Sequence, residues 1–310
     1  MIHRFNPTVG PLLLAGLVSC NSGHGKSTAS DPQSAPSAES ASTSNSGAAP
    51  AATATAATSG KGLATFGAER PAIRVLEAGE APRRTLAYQP KAVSRNVTLA
   101  LAMPVPGGSG GEMTHRFELS WSSTAAAPSR YAFAVSKAHM AAPGSPSHPT
   151  MQSRFEQVAG VATAAASDHL IFARTQGSPT TPSVPMFLHL LSVPLPSEPV
   201  GQGARWQLSE PVTKPGMTGE ATRTLHLRVL SEVGATIGIE RQSTWQPRPA
   251  KAGVTGTSAF EAEAELRFDD VLPQSAKGTF RQSTKLPLPG GGDEPPIETT
   301  IGVTLGPGSG

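Results

Sequence analysis

The residues whose types and spacing could support chemistry are few, and most of them sit in the wrong frame. Gly107-Gly108-Ser109-Gly110-Gly111 matches a nucleophile elbow, in which a serine is presented on a sharp turn between a strand and a helix. Its flanks here read as strand and strand, so the glycines predict a hairpin connection instead. Ser167-Asp168-His169 holds the three residue types of an acyl-transfer triad. A triad needs convergence through space, which neighbours on one turn do not reach, so a polar turn is expected. His115, His139, His148, His169, His189 and His226 contain no i, i+4 pair, the spacing that sets two metal ligands on one helix face. They predict surface or satisfied core histidines.

Glu261, Glu263 and Glu265 alternate and would share one face of a strand. Such a row attracts Ca²⁺ or a basic partner, or it lies in solvent, balanced across the strand by Arg223 or Arg228. The solvated row is the expectation. Gly25-Lys26-Ser27 has the tail of a phosphate-binding loop, but the glycine required five positions before Gly25 is Cys20, and no strand precedes it. Asn96-Val97-Thr98 is a glycosylation sequon by pattern alone. No catalytic residue, metal site or cofactor is predicted, and an enzyme is not the expected reading.

Cys20 stands apart. It is the one cysteine of the chain, which excludes an intramolecular disulfide and a cysteine-based zinc site. It follows Arg4, a short apolar run from Pro11 to Val18, and the small residue Ser19. That is the n-region, h-region and cleavage site of an export signal, and the run is too short for the ~20 residues of a spanning helix. Leu17-Val18-Ser19-Cys20 resembles the lipobox of bacterial lipoproteins. The resemblance implies cleavage between Ser19 and Cys20, a diacylglyceryl group on the Cys20 thiol and acylation of the new amino terminus. Several acyl chains on one residue anchor stably where one is marginal. Asn21 is not the Asp that, in this family, favours inner-membrane retention, so the outer membrane is the expected destination.

Residues 1–19 are thus expected to be a lipoprotein signal peptide and residues 20–60 a lipidated tether. The tether is dominated by Ser, Ala, Thr, Gly and Pro and buries too little apolar surface to offset the entropy of ordering. A flexible coil of that length spans roughly 35 Å on average. Net charge is +3 with the 25 basic residues scattered, so no stripe of the kind nucleic-acid binders carry is present.

From about residue 61 the composition changes. Asn96–Met103 places Val97, Leu99 and Leu101 on one side. Met113–Trp121 aligns Met113, His115, Phe117, Leu119 and Trp121, and Tyr131, Phe133 and Val135 follow suit. Val158–Ala165, Leu170–Arg174, Ala221–Leu230 (Leu225, Leu227 and Val229 together), Thr236–Trp245, Phe260–Phe268, Gly278–Ser283 and Ile297–Leu305 continue the pattern. About ten short strands with few long helices predict a mainly β fold over residues 61–310. The expected form is a curved antiparallel sheet, sandwich or incomplete barrel with at most one or two short helices. Val184–Val193 is the exception: Pro185 suits a first helical turn and Met186, Leu190 and Val193 share a helical face. A short helix is preferred, with a central strand as the alternative.

Leu195-Pro196, Pro199-Val200-Gly201 and Trp206 form a distinctive segment. Gly201 and Gly203 permit a tight turn before Trp206 enters a strand as a core anchor. The segment is similar to one in uncharacterised bacterial lipoproteins and secreted proteins, a likeness that implies a curved β architecture over roughly 185–245 and no chemistry. Three functions remain open. The first is an envelope lipoprotein, held to the membrane through Cys20, whose non-catalytic domain binds an apolar ligand or a partner protein, by fold-level analogy with periplasmic lipoprotein carriers. The second is a structural or assembly component, and the third a hydrolase.

Overall fold

Alternation of apolar and polar side chains needs a sheet with one face buried, and the computed structural model has that form. It describes residues 65–66, 72–105, 111–141, 149–164, 170–176, 183–212, 217–247, 254–285 and 295–308. The signal, the lipobox and the tether lie outside these residues, as do Gly107–Gly110 and Ser167-Asp168-His169. Strands β1 (Thr65–Phe66), β2 (Ile73–Glu77), β3 (Ser94–Pro104), β4 (Glu112–Thr124) and β5 (Ala127–Ala141) precede helix α1 (Pro149–Glu156). Strands β6 (Ala159–Ala164) and β7 (Leu170–Gln176) lead to helix α2 (Ser183–Leu191). The chain continues through β8 (Arg205–Pro211), β9 (Met217–Leu230), β10 (Gly234–Pro247), β11 (Thr255–Arg267), β12 (Ser275–Lys285) and β13 (Ile297–Pro307).

All strands belong to one antiparallel sheet in the order β1-β7-β6-β5-β4-β3-β13-β12-β11-β10-β9-β8-β2. The fold is therefore mainly β, a curved sheet that does not close into a barrel. Two meanders, β3 to β7 and β8 to β13, join where β13 pairs with β3, Val303 opposite Leu101. The short edge strands β1 and β2 and helix α1 exceed the series read from the sequence, because segments this short carry too few alternations to register.

Curvature follows from contacts. From β7 to β8 the order holds eleven strands, about 50 Å across if flat. Yet the His189 ring on α2 lies 6.4 Å from the Phe172 ring on β7 and 3.6 Å from the Glu210 carboxylate on β8. The two ends must curl toward each other, with α2 across the seam. The helix is apolar nearly all round: Val184, Phe187, Leu188, Leu190 and Leu191 are buried, as a helix enclosed by other elements requires.

The core faces inward from every long strand: Val97, Leu99 and Leu101, then Phe117, Leu119 and Trp121, then Tyr131 and Phe133, and opposite them Leu225, Leu227, Ile237, Ile239, Phe260 and Phe280. Trp121 stacks on Tyr131 at 4.7 Å, and Phe187 of α2 meets Phe280 edge-on at 5.9 Å. One end is covered by residues 78–93, whose Leu86 and Tyr88 are buried and whose Gln89 amide donates to Phe268 O at 2.6 Å. There Trp206, fully buried, donates to Pro194 O at 2.9 Å, and Gly203 takes the left-handed backbone (φ 80°) that the turn before it demands. At the other end α1 lays Phe155 against Phe117 at 5.1 Å.

One strand departs from its expected phase. Val229 is half exposed, although Leu225 and Leu227 are buried beside it. A bulge opposite Thr236 and Ile237 inserts Arg228 as an extra residue in β9, and one extra residue turns the following side chain to the other face.

Candidate functional site

Arg223, Arg241 and Glu210 occupy positions in phase with apolar rows. Trp206, Leu208 and Glu210 share a face of β8; Arg223, Leu225 and Leu227 share one of β9; Ile237, Ile239 and Arg241 share one of β10. In register, Leu208 pairs with Arg223 and Arg223 with Arg241. Three charged side chains are thereby carried into the interior on adjacent strands, and α2 brings His189 over them.

The side chains of Arg223, Glu210, His189 and Arg241 are 0%, 9%, 9% and 12% exposed. Arg223 Nη2 lies 3.2 Å from Glu210 Oε1 and donates to Oε2 at 3.3 Å. Its Nη1 donates to the carbonyls of Ser192 at 2.9 Å and His189 at 3.3 Å, satisfying the orphan acceptors at the C-terminus of α2 with a cation where the helix dipole is negative. The Ser192 hydroxyl donates to the same His189 carbonyl at 2.7 Å, so it is spent on the backbone. Arg241 approaches Glu210 Oε2 with Nε at 3.7 Å.

Burial alone would push the Glu210 carboxyl up. Arg223, His189 and Arg241 overcome that and hold it well below the usual carboxylate range. Burial pushes His189 down, against the attraction of Glu210 and with the help of both arginines, which leaves the imidazole neutral at pH 7. Arg241 falls to about 10, from burial first and the Arg223 charge second, and stays cationic. Two guanidinium ions thus face one carboxylate in a poorly hydrated interior.

The next inward row is polar on β10 to β13. Ser243 pairs with Ser258, Ser258 with Gln282 and Gln282 with Thr299. Ser243 Oγ lies 2.6 Å from Ser258 Oγ. Trp245, one row further, covers Gly256, where any Cβ would collide with the indole. Along β10 the inward-facing residues therefore run from aliphatic Ile237 and Ile239 through Arg241 and Ser243 to Trp245, which packs in an apolar cluster with Val212 and Ala221.

No family model, no curated protein and no solved structure matches this chain. The reading of the site rests on its own chemistry.

Among the residues singled out in the sequence, His189 and Arg223 enter the cluster. His115 is buried against Phe117 and Phe155 at 6.4 and 6.2 Å, and burial pushes it down. His139 and His226 stand exposed on β5 and β9. Cys20, Ser19, His148 and His169 lie outside the described residues. The glutamate row is a solvated face: Glu263 pairs with Arg228 at 3.2 Å, Glu261 with Arg281 at 3.4 Å, and Glu265 accepts from Ser275 Oγ at 2.7 Å. Arg228 reaches across Gly238 of β10 to make its pair. Arg223, the other expected partner of that row, points to the opposite face, in phase with Leu225 and Leu227. A charge in phase with an apolar row was the signal for the cluster. Among the described residues no group of three or more His, Asp or Glu side chains is placed to hold a metal ion, and no helix is long and apolar enough to cross a membrane.

Proposed function

We propose that this is a lipid-anchored protein of the bacterial cell envelope whose β domain is a non-catalytic binding module for an apolar or amphiphilic ligand. The anchor rests on Leu17-Val18-Ser19-Cys20, and the ligand on the fold's interior. The observation that carries the binding role is α2. It is an apolar helix held inside a curled, unclosed sheet, across the seam between β7 and β8, by hydrogen bonds from Arg223 to its last carbonyls. A ligand's apolar chains can take the place of such a helix among the same aromatic and aliphatic side chains. Large apolar side chains exposed among the described residues are Leu76, Val229, Val233 and Ile297, few for a protein-docking face, and this favours the ligand over an assembly role.

Two measurements test the reading. In Cys20→Ser, labelled palmitate incorporation and membrane pelleting are both expected to be lost; retention of both overturns the anchor. Native mass spectrometry of the purified lipoprotein is expected to show a lipid-sized non-covalent adduct beyond the acyl groups on Cys20. A bare mass, together with no uptake of a fatty acid in titration, overturns the ligand in favour of an assembly role.

A further inference from the structure

The charged cluster holds more cation than it balances. Arg223 engages Glu210 through Nη2 and the α2 carbonyls through Nη1. Arg241 is left with the 3.7 Å approach of its Nε. Neither of its terminal nitrogens donates a hydrogen bond among the described residues. Arg241 is largely buried, at 12% side-chain exposure, and its buried Nε has no hydrogen-bond partner; an incompletely paired guanidinium of this kind marks a candidate functional position.

The surroundings fit an incoming oxyanion. Arg241 lies on the same face as Ser243 and one row from the Ser243–Ser258 hydroxyl pair. Of two hydroxyls bonded to each other, one proton joins them and the second is left to donate elsewhere. Gln282 and Thr299 continue that row and are half-buried, so the row opens toward solvent. Phe260 and Phe280 continue Arg241's own row across β11 and β12, and Ile239 lies one row back on β10, all buried. An arginine fork with a hydroxyl donor is complementary to a carboxylate or phosphate, and the adjoining side chains are complementary to an alkyl chain.

We propose that Arg241, with the Ser243–Ser258 pair, is a binding site for an oxyanion, carboxylate or phosphate, borne by the ligand of this domain. The site rests on the binding role proposed above: Arg241 receives the anionic head and the aromatic and aliphatic interior receives the chain.

Isothermal titration of the full chain carrying Cys20→Ser separates the possibilities, with laurate, its uncharged glycerol ester monolaurin, and inorganic phosphate as probes. Laurate is expected to bind more tightly than monolaurin. Arg241→Gln is expected to weaken laurate roughly ten-fold to a hundred-fold, leave monolaurin unchanged and abolish the difference between them. Arg241→Lys, which keeps the charge without the fork, is expected to recover part of the affinity. Phosphate binding that depends on Arg241, without laurate binding, upholds the oxyanion site and overturns its amphiphilic source. Laurate and monolaurin binding alike in the unsubstituted chain overturns the oxyanion site and leaves the apolar-ligand role standing. That comparison needs no cluster variant to fold. Binding of none of the three overturns both.

Discussion

Two buried ion pairs in this domain look alike in outline and differ in their charge count. At the end covered by residues 78–93, Arg95 Nη2 meets Asp270 Oδ2 at 2.9 Å and donates to Leu272 O and Pro273 O at 2.9 and 3.1 Å. Asp270 Oδ1 accepts from Trp121 Nε1 at 3.2 Å and Leu272 N at 3.1 Å. One cation meets one anion, and the carboxylate is further held by an indole and a backbone amide. This bridge ties the turn after β11 to β3 and β4. In the second site two arginines share Glu210 beneath α2. A matched pair with neutral donors around it fastens a loop. An unmatched one leaves a cation short of a partner, and under the proposal above that difference separates a fastening from a place for a ligand.

The largest effect is expected from Arg223→Met. It strips Glu210 of its main partner and the α2 C-terminus of its donors, and removing one member of a buried pair costs about 3–5 kcal/mol; urea unfolding measures it. Asp270→Ala follows at about 2–3 kcal/mol, because Arg95 retains its carbonyl partners and reaches solvent. A reversed order in the same experiment breaks the comparison as drawn.

Acidification sharpens it. His115 and His189 are held below their ordinary value of 6.5, so the unfolded chain binds more protons than the folded one as pH falls below it. The stability these groups contribute is present above 6.5 and is lost on descending through that window. Glu210 is held below 4.5, and its contribution is present above that value and lost beneath it. Unfolding free energy measured against pH is therefore expected to fall in two stages, and His189→Asn to flatten part of the upper one. The smallest effect is expected from Arg241→Gln, within about 1 kcal/mol of zero by the same urea assay, since it removes a cation with no carboxylate of its own. A loss as large as that from Arg223→Met would make Arg241 a fastening as well, and the contrast would vanish.

Much of the sheet was legible because period-2 alternation is local. Val97, Leu99 and Leu101 or Phe117, Leu119 and Trp121 declare their common face without reference to any other strand. Helix α2 was legible as the preferred of two readings through Pro185 and its helical spacing. Val229 was misread because a bulge depends on how two strands pair, which neither strand encodes alone. Arg223 was assigned to the glutamate row although its phase with Leu225 and Leu227 argued for the core. Charge made the exposed face the default expectation, and burial of an arginine is reasonable only once its partners are known.

The sequence by itself determined the fold class and the inward and outward faces of most of the long strands, because each follows from residues close together along the chain. Tertiary structure alone decided that β7 and β8 curl to meet α2, that His189, Glu210, Arg223 and Arg241 converge, and that one of those arginines lacks a full counterpart. Each of those outcomes depends on distances between segments far apart in the chain, which only the pairing of strands and the helix across their seam set.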